Sequence, residues 1–241
     1  MTESTDNDGL DIAGFGKIAK AIPAKVYERS ATTLLTTFQQ LTAPITETTS
    51  GLGRYLRQKF DNMVEAEKAI ATYTIEKAIA KAKQRAQLKG RDIHPPESSK
   101  SFVKAIEEAS KETDPLLHEM WANLIASQLS DDSCHPHFVE VLSHFSAAEA
   151  HLLISLVPLS EVGENDGGYL AADDDSFPYW IPKAGGEPRP WSISCILLKE
   201  FRFADIVGPK GNKPEHTTIL YRTTLGSTFL SAVSTPTVDQ V

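Results

Sequence analysis

The side chains best suited to hold a metal ion lie in the middle of the chain. Five of the seven histidines fall between residues 118 and 151, where Cys134 also opens the run Cys-His-Pro-His. A zinc site takes four ligands, and in sequence it shows paired cysteines or two histidines at a fixed short spacing. This sequence has no paired cysteines and no His-x-x-x-His spacing. We therefore expect no metal site and no cofactor.

The acidic and nucleophilic residues form no recognisable catalytic pattern either. The runs Asp131-Asp132 and Asp173-Asp174-Asp175 lack the Asp-x-Asp-x-Asp-Gly spacing of a calcium loop. No Gly-rich phosphate loop follows a predicted strand, and no Gly-x-Ser-x-Gly sequence occurs. We assign no catalytic residue and expect that the protein is not an enzyme.

Basic residues give the strongest candidate for a binding surface. Lys77, Lys81, Arg85 and Lys89 recur every four residues and form a cationic ridge on one predicted helix. Like charges at this spacing repel by about 0.2–0.5 kcal/mol per pair, so an anionic partner would explain them. Three partners remain open: the chain's own acidic middle, nucleic acid, or an anionic membrane surface. A solvated helix face explains the ridge equally well.

A second basic set, Lys210, Lys213 and Arg222, falls on a predicted hairpin or single wing strand near the C-terminus. The order there is a helix over residues 192–206, a turn, a strand within "TTILYRTT" and a helix within "LGSTFLSAVS". This is the order of a winged-helix unit, in which the three basic residues would be wing contacts. Because acidic residues on the preceding helix nearly balance them, nucleic-acid binding is open but not favoured.

The cationic ridge lies on the strongest predicted helix of the chain. Residues 62–89 contain no Gly or Pro and are rich in Ala, Glu, Lys and Gln, and Gly90 ends the pattern. The apolar stripe is narrow and consists largely of Ala and Ile. Such a stripe suits packing along another helix, and close approach favours the same helix of a second subunit. We therefore predict a homo-oligomer.

The next well-marked helix is "DPLLHEMWANLIASQL", with Asp114 as the N-cap and Pro115 at the first helical position. Trp121 and Asn123 lie about 200° apart around this helix, so they cannot share a face. We expect Trp121 to anchor the core and Asn123 to hydrogen-bond a neighbouring loop or helix end. Downstream, Pro136 opens a short helix, and Ser146 with Glu149 forms a capping box.

Composition and charge indicate a soluble, mostly helical protein in a reducing cytoplasm. The formal net charge is −8, with a basic excess in residues 12–92 and an acidic excess in residues 93–190. The two cysteines provide no disulfide framework, the first residues do not resemble a secretory signal, and no apolar run could span a membrane. The predicted organisation has five parts: a tail (1–11), an N-terminal helical arm (12–92), a helical core (93–159), an acidic Gly/Pro-rich loop (160–190) and a degenerate winged-helix unit with a tail (191–241).

Two sequence runs carry a family resemblance: "HPPESSKSFVKAIEEASKETDPLLHEMWANLIASQL" and "HPHFVEVLSHFSAAEAHLL". They resemble the abortive-infection alpha family, a bacterial family associated with phage defence, in their Trp-Ala-Asn helix, His-Pro step and Ser-x-x-Glu-Ala step. The runs "AIPAKVYERS", "GLGRYLRQKF" and "YRTTLGSTFLSAV" resemble the upstream and closing parts of the family. The matching positions are Pro95, Leu116, Trp121, Ala122, Asn123, Leu124, Ala126, His135, Pro136, Phe138, Leu142, Ser146, Glu149 and Ala150.

The resemblance implies a part in antiphage defence by abortive infection and names no mechanism. Together with the residues above, it leads us to expect a non-enzymatic component that acts through protein contacts or self-assembly, with a host or phage protein as an unknown partner. Two alternatives stay open. One is a winged-helix DNA-binding regulator, and the other is a peripheral membrane-acting effector that uses residues 31–60 as an amphipathic segment.

Overall fold

A computed structural model describes residues 31–46, 51–131, 134–158, 192–207 and 219–235, together with residues 23, 26, 179, 180, 189 and 190. Within these residues the fold is mostly helical with a small antiparallel hairpin near the C-terminus, as predicted. The helices are α1 (Ala31–Thr46), α2 (Leu52–Asp61), α3 (Glu65–Leu88), α4 (Ser99–Ala109), α5 (Pro115–Gln128), α6 (His137–Leu142), α7 (Ala147–Ser155), α8 (Ile193–Glu200) and α9 (Thr224–Val233). The strands are β1 (Tyr179–Trp180), β2 (Arg189–Pro190), β3 (Ala204–Val207) and β4 (Ile219–Arg222).

The chain divides into two compact units, Met1–Ser130 and Asp131–Val241. The predicted arm and the Trp-Ala-Asn helix therefore lie in one unit. The sequence instead predicts a domain boundary after residue 92. The physical reason is that α3 packs along α5 and also contacts α1 and α4. Helix α3 thus lies at the centre of the first unit.

Helix α3 owes its central position to its small side chains. Ala71, Ala78 and Ala82 are completely buried, so neighbouring helices can approach the α3 backbone closely. The helix ends as predicted at Gly90, which adopts a left-handed φ of 63°. The amide of Gly90 bonds to the Gln87 carbonyl at 3.1 Å and that of Arg91 to the Ala86 carbonyl at 2.9 Å, which is a Schellman ending.

Helices α1 and α2 pack against each other through aromatic side chains. Phe38 of α1 stacks on Phe60 of α2 with 4.3 Å between ring centroids, and both rings are buried. Proline usually kinks or ends a helix, but α1 continues through Pro44 to Thr46. Packing of the preceding turn outweighs the local preference of proline, a common outcome when a helix face is buried.

The second unit is built around a cluster of phenylalanines. Phe203 stacks on Phe229 at 4.5 Å between centroids, and Phe138 meets Phe229 edge-on at 5.3 Å. These rings bring together the short helix α6, the residue before β3, and α9. The predicted capping box at the start of α7 is present: the Ser146 amide donates to Glu149 Oε2 at 2.7 Å.

One part of the predicted secondary structure in this unit is wrong. Residues 192–206 were predicted as a single helix, but α8 ends at Glu200 and residues 204–207 form β3, which pairs with β4. The helix stops because Arg202 adopts a left-handed conformation with a φ of 60°. The short hairpin near the C-terminus is present as predicted, while its likeness to a winged helix remains a prediction.

The tail at 1–11 and most of the predicted acidic loop lie outside the described residues, as does the strand expected near residues 168–171. Within residues 160–190, the structure shows the short pair β1 and β2, in which Tyr179 is opposite Pro190. None of the described helices is long and apolar enough to cross a membrane.

Candidate functional site

Two residues of the cationic ridge meet a single carboxylate inside the first unit. Lys77 and Lys81 lie one turn apart on α3, and Glu119 lies on the facing helix α5. The ammonium group of Lys81 is 2.5 Å from Glu119 Oε1, and that of Lys77 contacts Glu119 Oε2. Each carboxylate oxygen therefore holds one lysine, and the cluster joins the two helices. In the folded chain, the anion that faces these lysines is the chain's own Glu119.

The charge state of Glu119 follows from these contacts. Partial burial acts to raise the pKa of its carboxyl group, but hydrogen bonds and charge from Lys77 and Lys81 outweigh burial and hold that pKa below its usual value. Glu119 is therefore ionised at neutral pH. With two ammonium groups and one carboxylate, the cluster keeps an excess of positive charge at the α3–α5 contact.

The other two residues of the ridge have different surroundings. Arg85 is buried on α3. Lys89 is the C-cap residue of this helix and is exposed. The four basic residues therefore do not form one uniform solvated face. Sequence spacing predicted one continuous face, but it could not show that Glu119 of α5 contacts Lys77 and Lys81.

Next to Glu119, His118 is buried and neutral. Its Nε2 is 2.8 Å from the hydroxyl of Thr74, which itself donates to the Ile70 carbonyl at 2.8 Å. Because that hydroxyl has a single proton, His118 must donate from Nε2. Desolvation, reinforced by the charge of Lys77 and opposed by Glu119, lowers the pKa of His118 to about 4.

The lowered pKa of His118 predicts a loss of stability in mild acid. Below its ordinary value of 6.5, the unfolded chain binds a proton that the folded chain does not, so the free energy of unfolding falls as pH decreases toward about 4. Between pH 6.5 and 4.5 we expect a decrease of about 2 kcal/mol from this group. Urea unfolding at a series of pH values would measure it.

A His118→Gln variant provides the control for this prediction, because the glutamine amide keeps a donor toward Thr74 and does not titrate. Its free energy of unfolding should change by about 2 kcal/mol less over the same interval. Glu119 and Glu149 have lowered pKa values, so their contributions are lost below pH 4.5 and do not interfere. Equal pH slopes for the two proteins would refute a buried neutral His118.

Trp121 and Asn123, of the Trp-Ala-Asn run, are buried on opposite sides of α5. Trp121 is 2% exposed, as expected for a core anchor. Asn123 donates to the Glu119 carbonyl of its own helix at 3.0 Å rather than to a neighbouring loop or helix end, and its Oδ1 has no hydrogen-bond partner among the described residues. Both residues thus belong to the interior of the first unit.

His135 and Pro136, which form the His-Pro step, lead into helix α6 in the second unit. Nδ1 of His135 accepts a hydrogen bond from the His137 amide at 3.1 Å, which caps the first turn. Among the described residues, no three His, Cys, Asp or Glu side chains come together where they could hold a metal ion.

Of the three candidate wing contacts, Lys210 and Lys213 lie outside the described residues. Arg222 lies at the end of β4, and its Nε donates to the Ser227 hydroxyl at 3.1 Å. One donor of the guanidinium group is therefore used to join β4 to α9. The next residue, Thr223, also stabilises this junction. Its hydroxyl caps α9 by accepting a hydrogen bond from the Gly226 amide at 3.0 Å.

These elements define a mostly helical protein with a charge-paired helix contact in one unit and a helix-flanked hairpin in the other. The family model for abortive infection alpha matches residues 66–179, a span that runs from α3 beyond α7 and includes Trp121 and Pro136. Over this span the match confirms the resemblance to the abortive infection alpha family seen in the motifs. No curated protein and no solved structure matches the chain. The family indicates a role in abortive infection.

Sequence reasoning missed Glu119 as the partner of the ridge. The available signal was weak: a single acidic residue inside a helix of otherwise apolar character, in the part of the chain with the opposite charge sign. Spacing along one helix predicts which residues share a face, whereas pairing across 40 residues depends on how two helices pack.

Proposed function

We propose that this protein is a non-enzymatic component of abortive infection that acts by self-assembly, through an apolar surface of the second unit. Helix α8 supports the proposal. Its Ile193 is 74% exposed and its Ile196 is 46% exposed, although the same helix buries Cys195 and Leu198. Because the two isoleucines are three positions apart, they lie on one side of the helix. Ile154 on the neighbouring helix α7 is exposed as well.

The occupant proposed for this surface is a second copy of the chain. Closed symmetric dimers are the commonest assemblies of soluble proteins, and a two-fold contact would place α8 of one copy against α8 of the other. The sequence argument for an oligomer used the small-residue stripe of α3. That stripe is buried inside its own unit, so the exposed isoleucines now carry the proposal.

The amphipathic segment of the membrane alternative is also used inside the first unit. Four of its apolar residues, Phe38, Leu52, Leu56 and Phe60, are buried there. The contacts of Arg222 and of the lysines of the ridge likewise give no specific support to the regulator alternative. Protein contact through α8 is therefore the mechanism that the described side chains favour.

Replacing Ile193 and Ile196 together by Asp should dissociate the assembly. Burying the exposed parts of the two side chains contributes about 2 kcal/mol, so the dissociation constant should rise by about 30-fold or more. Light scattering on the full chain should give at least twice the 26.4 kDa of one copy for the wild type and a single copy for the variant. Protection of bacteria against phage should be lost with the assembly.

The control is Val64→Asp, which places one Asp on an apolar residue that is 62% exposed in the first unit. Asp is also favourable at this helix N-cap, so the fold should be retained. This variant should assemble and protect like the wild type. A monomeric wild type at tens of micromolar would refute self-assembly, and salt-sensitive binding of duplex DNA would favour the regulator instead.

A further inference from the structure

The inner side of helix α8 is held firmly on α7. Cys195 and Leu198 are completely buried there. The hydroxyl of Ser194 donates to Oε1 of the buried Glu149 on α7 at 2.6 Å. Glu149 also accepts from the Ser146 amide at 2.7 Å, so one carboxylate joins the starts of the two helices. These contacts determine which side of α8 faces outward.

The outward side of α8 carries an apolar stripe that ends in a carboxylate. The stripe has the spacing i, i+3, i+4 and i+7 along one face of the helix and consists of Ile193, Ile196, Leu197 and Glu200. Ile193 is 74% exposed and Ile196 is 46% exposed, while Leu197 is half-buried. Glu200 is exposed and forms no ion pair with any residue that the structure describes.

The N-terminus of α8 is complementary to that carboxylate. The first turn contains no acidic residue, and the hydroxyl of the N-cap residue Ser192 lies 3.5 Å from Cys195 Sγ instead of capping a backbone amide. Within the described part of the chain, nothing accepts a hydrogen bond from the amides of Ile193 and Ser194. Glu149 approaches this end from the inner side, through the Ser194 hydroxyl. The first amides of a helix and its dipole favour a negative charge, which Glu200 of another copy could bring from the outward side.

We propose, on the basis of the self-assembly put forward above, that α8 meets α8 of the second copy in antiparallel orientation and that Glu200 specifies this orientation. A two-fold axis at Ile196 and Leu197 packs these side chains against their counterparts in the other copy. Each Glu200 then lies at the α8 N-terminus of the other copy, beside Ile193. In a parallel pair the two Glu200 carboxylates would face each other and the helix dipoles would be aligned, and both effects oppose association.

The two orientations bring different residues together. An α-helix rises about 1.5 Å per residue, so Ile193 and Glu200 lie about 10 Å apart along α8. A disulfide requires two Cα atoms within about 7 Å of each other. An antiparallel pair therefore allows a disulfide between position 193 of one copy and position 200 of the other, and a parallel pair allows one between the two copies of position 193.

Cysteine variants of the full chain test the orientation under mild oxidation, at a concentration where light scattering shows that they still assemble. All of them carry Cys134→Ser, because Cys134 is partly exposed whereas Cys195 is completely buried. An equimolar mixture of Ile193→Cys and Glu200→Cys should give a disulfide-linked dimer on a non-reducing gel, as should Ile196→Cys alone. Ile193→Cys alone and Glu200→Cys alone are the matched controls and should remain single chains on the gel.

The part of Glu200 in the contact is tested by its charge. Glu200→Gln should raise the dissociation constant of the assembly by about threefold or more, because each copy loses a negative charge at a helix N-terminus. This difference should decrease as the salt concentration rises. Glu97→Gln makes the same change at an exposed position of the first unit and should leave the dissociation constant unchanged. A Glu200→Gln protein that assembles as tightly as the wild type would refute the role of Glu200.

The outcomes separate the orientation from the self-assembly on which it rests. A wild-type chain that is monomeric in light scattering refutes both. An assembly that is cross-linked by Ile193→Cys alone and not by the mixture is parallel, which overturns the proposal and leaves self-assembly intact. An assembly that none of these variants cross-links forms through a different surface, which overturns the contact through α8.

Discussion

The Trp121→Ala variant is expected to lose about 3–5 kcal/mol of unfolding free energy, as found for large-to-small changes in protein cores. Trp121 is 2% exposed on α5, the helix that packs along α3 and contacts α4. Removing the indole deletes much apolar contact area and leaves a cavity between helices that cannot fully collapse. Denaturant unfolding followed by far-ultraviolet circular dichroism would measure the loss without relying on tryptophan fluorescence.

Two controls separate burial from the mere loss of an aromatic ring. Trp121→Phe keeps most of the apolar volume and should lose about 1–2 kcal/mol. Tyr55→Ala removes an exposed aromatic residue from the same unit and should change stability by less than about 1 kcal/mol. A Trp121→Ala protein as stable as Tyr55→Ala would show that the indole is not part of the core.

Helix ends were predictable wherever they depend on local chemistry. Asp114 accepts hydrogen bonds from the amides of Leu116 and Leu117 at 2.9 and 3.1 Å, as its place before Pro115 indicated. Gly90 adopts the left-handed conformation that ends α3. Each of these features involves residues within five positions of one another, so the sequence contains the whole interaction.

Features that depend on distant residues were not predictable in the same way. Residues 204–207 continue the apolar pattern of α8, and nothing local indicates that they pair with residues 219–222. The left-handed conformation of Arg202 is equally hidden, because this conformation is rare outside glycine and asparagine. In residues 204–207, pairing with β4 therefore outweighs helix propensity.

The candidate binding residues show the same division. The four-residue spacing correctly placed Lys77 and Lys81 on one side of α3, but their carboxylate partner lies on another helix.

The Gly226→Ala variant is expected to lose about 3 kcal/mol of unfolding free energy, although Ala favours a helix over Gly by about 1 kcal/mol. A Cβ at this position of α9 would lie 2.2 Å from the Phe203 carbonyl oxygen and 2.9 Å from its carbon. That carbonyl accepts from the Thr223 amide at 3.0 Å, and the Phe203 ring stacks on Phe229. The clashing atoms are backbone held from two sides, so the steric loss exceeds the gain in helix propensity.

Gly90→Ala is the matched control for this variant, because the two glycines differ in what they provide. Gly90 has a φ of 63° with open space around it, whereas Gly226 has ordinary helical geometry and no room for a side chain. Gly90→Ala should therefore lose only the conformational contribution, about 1 kcal/mol. A Gly226→Ala protein more stable than Gly90→Ala would mean that helix propensity prevails and that α9 does not approach Phe203 this closely.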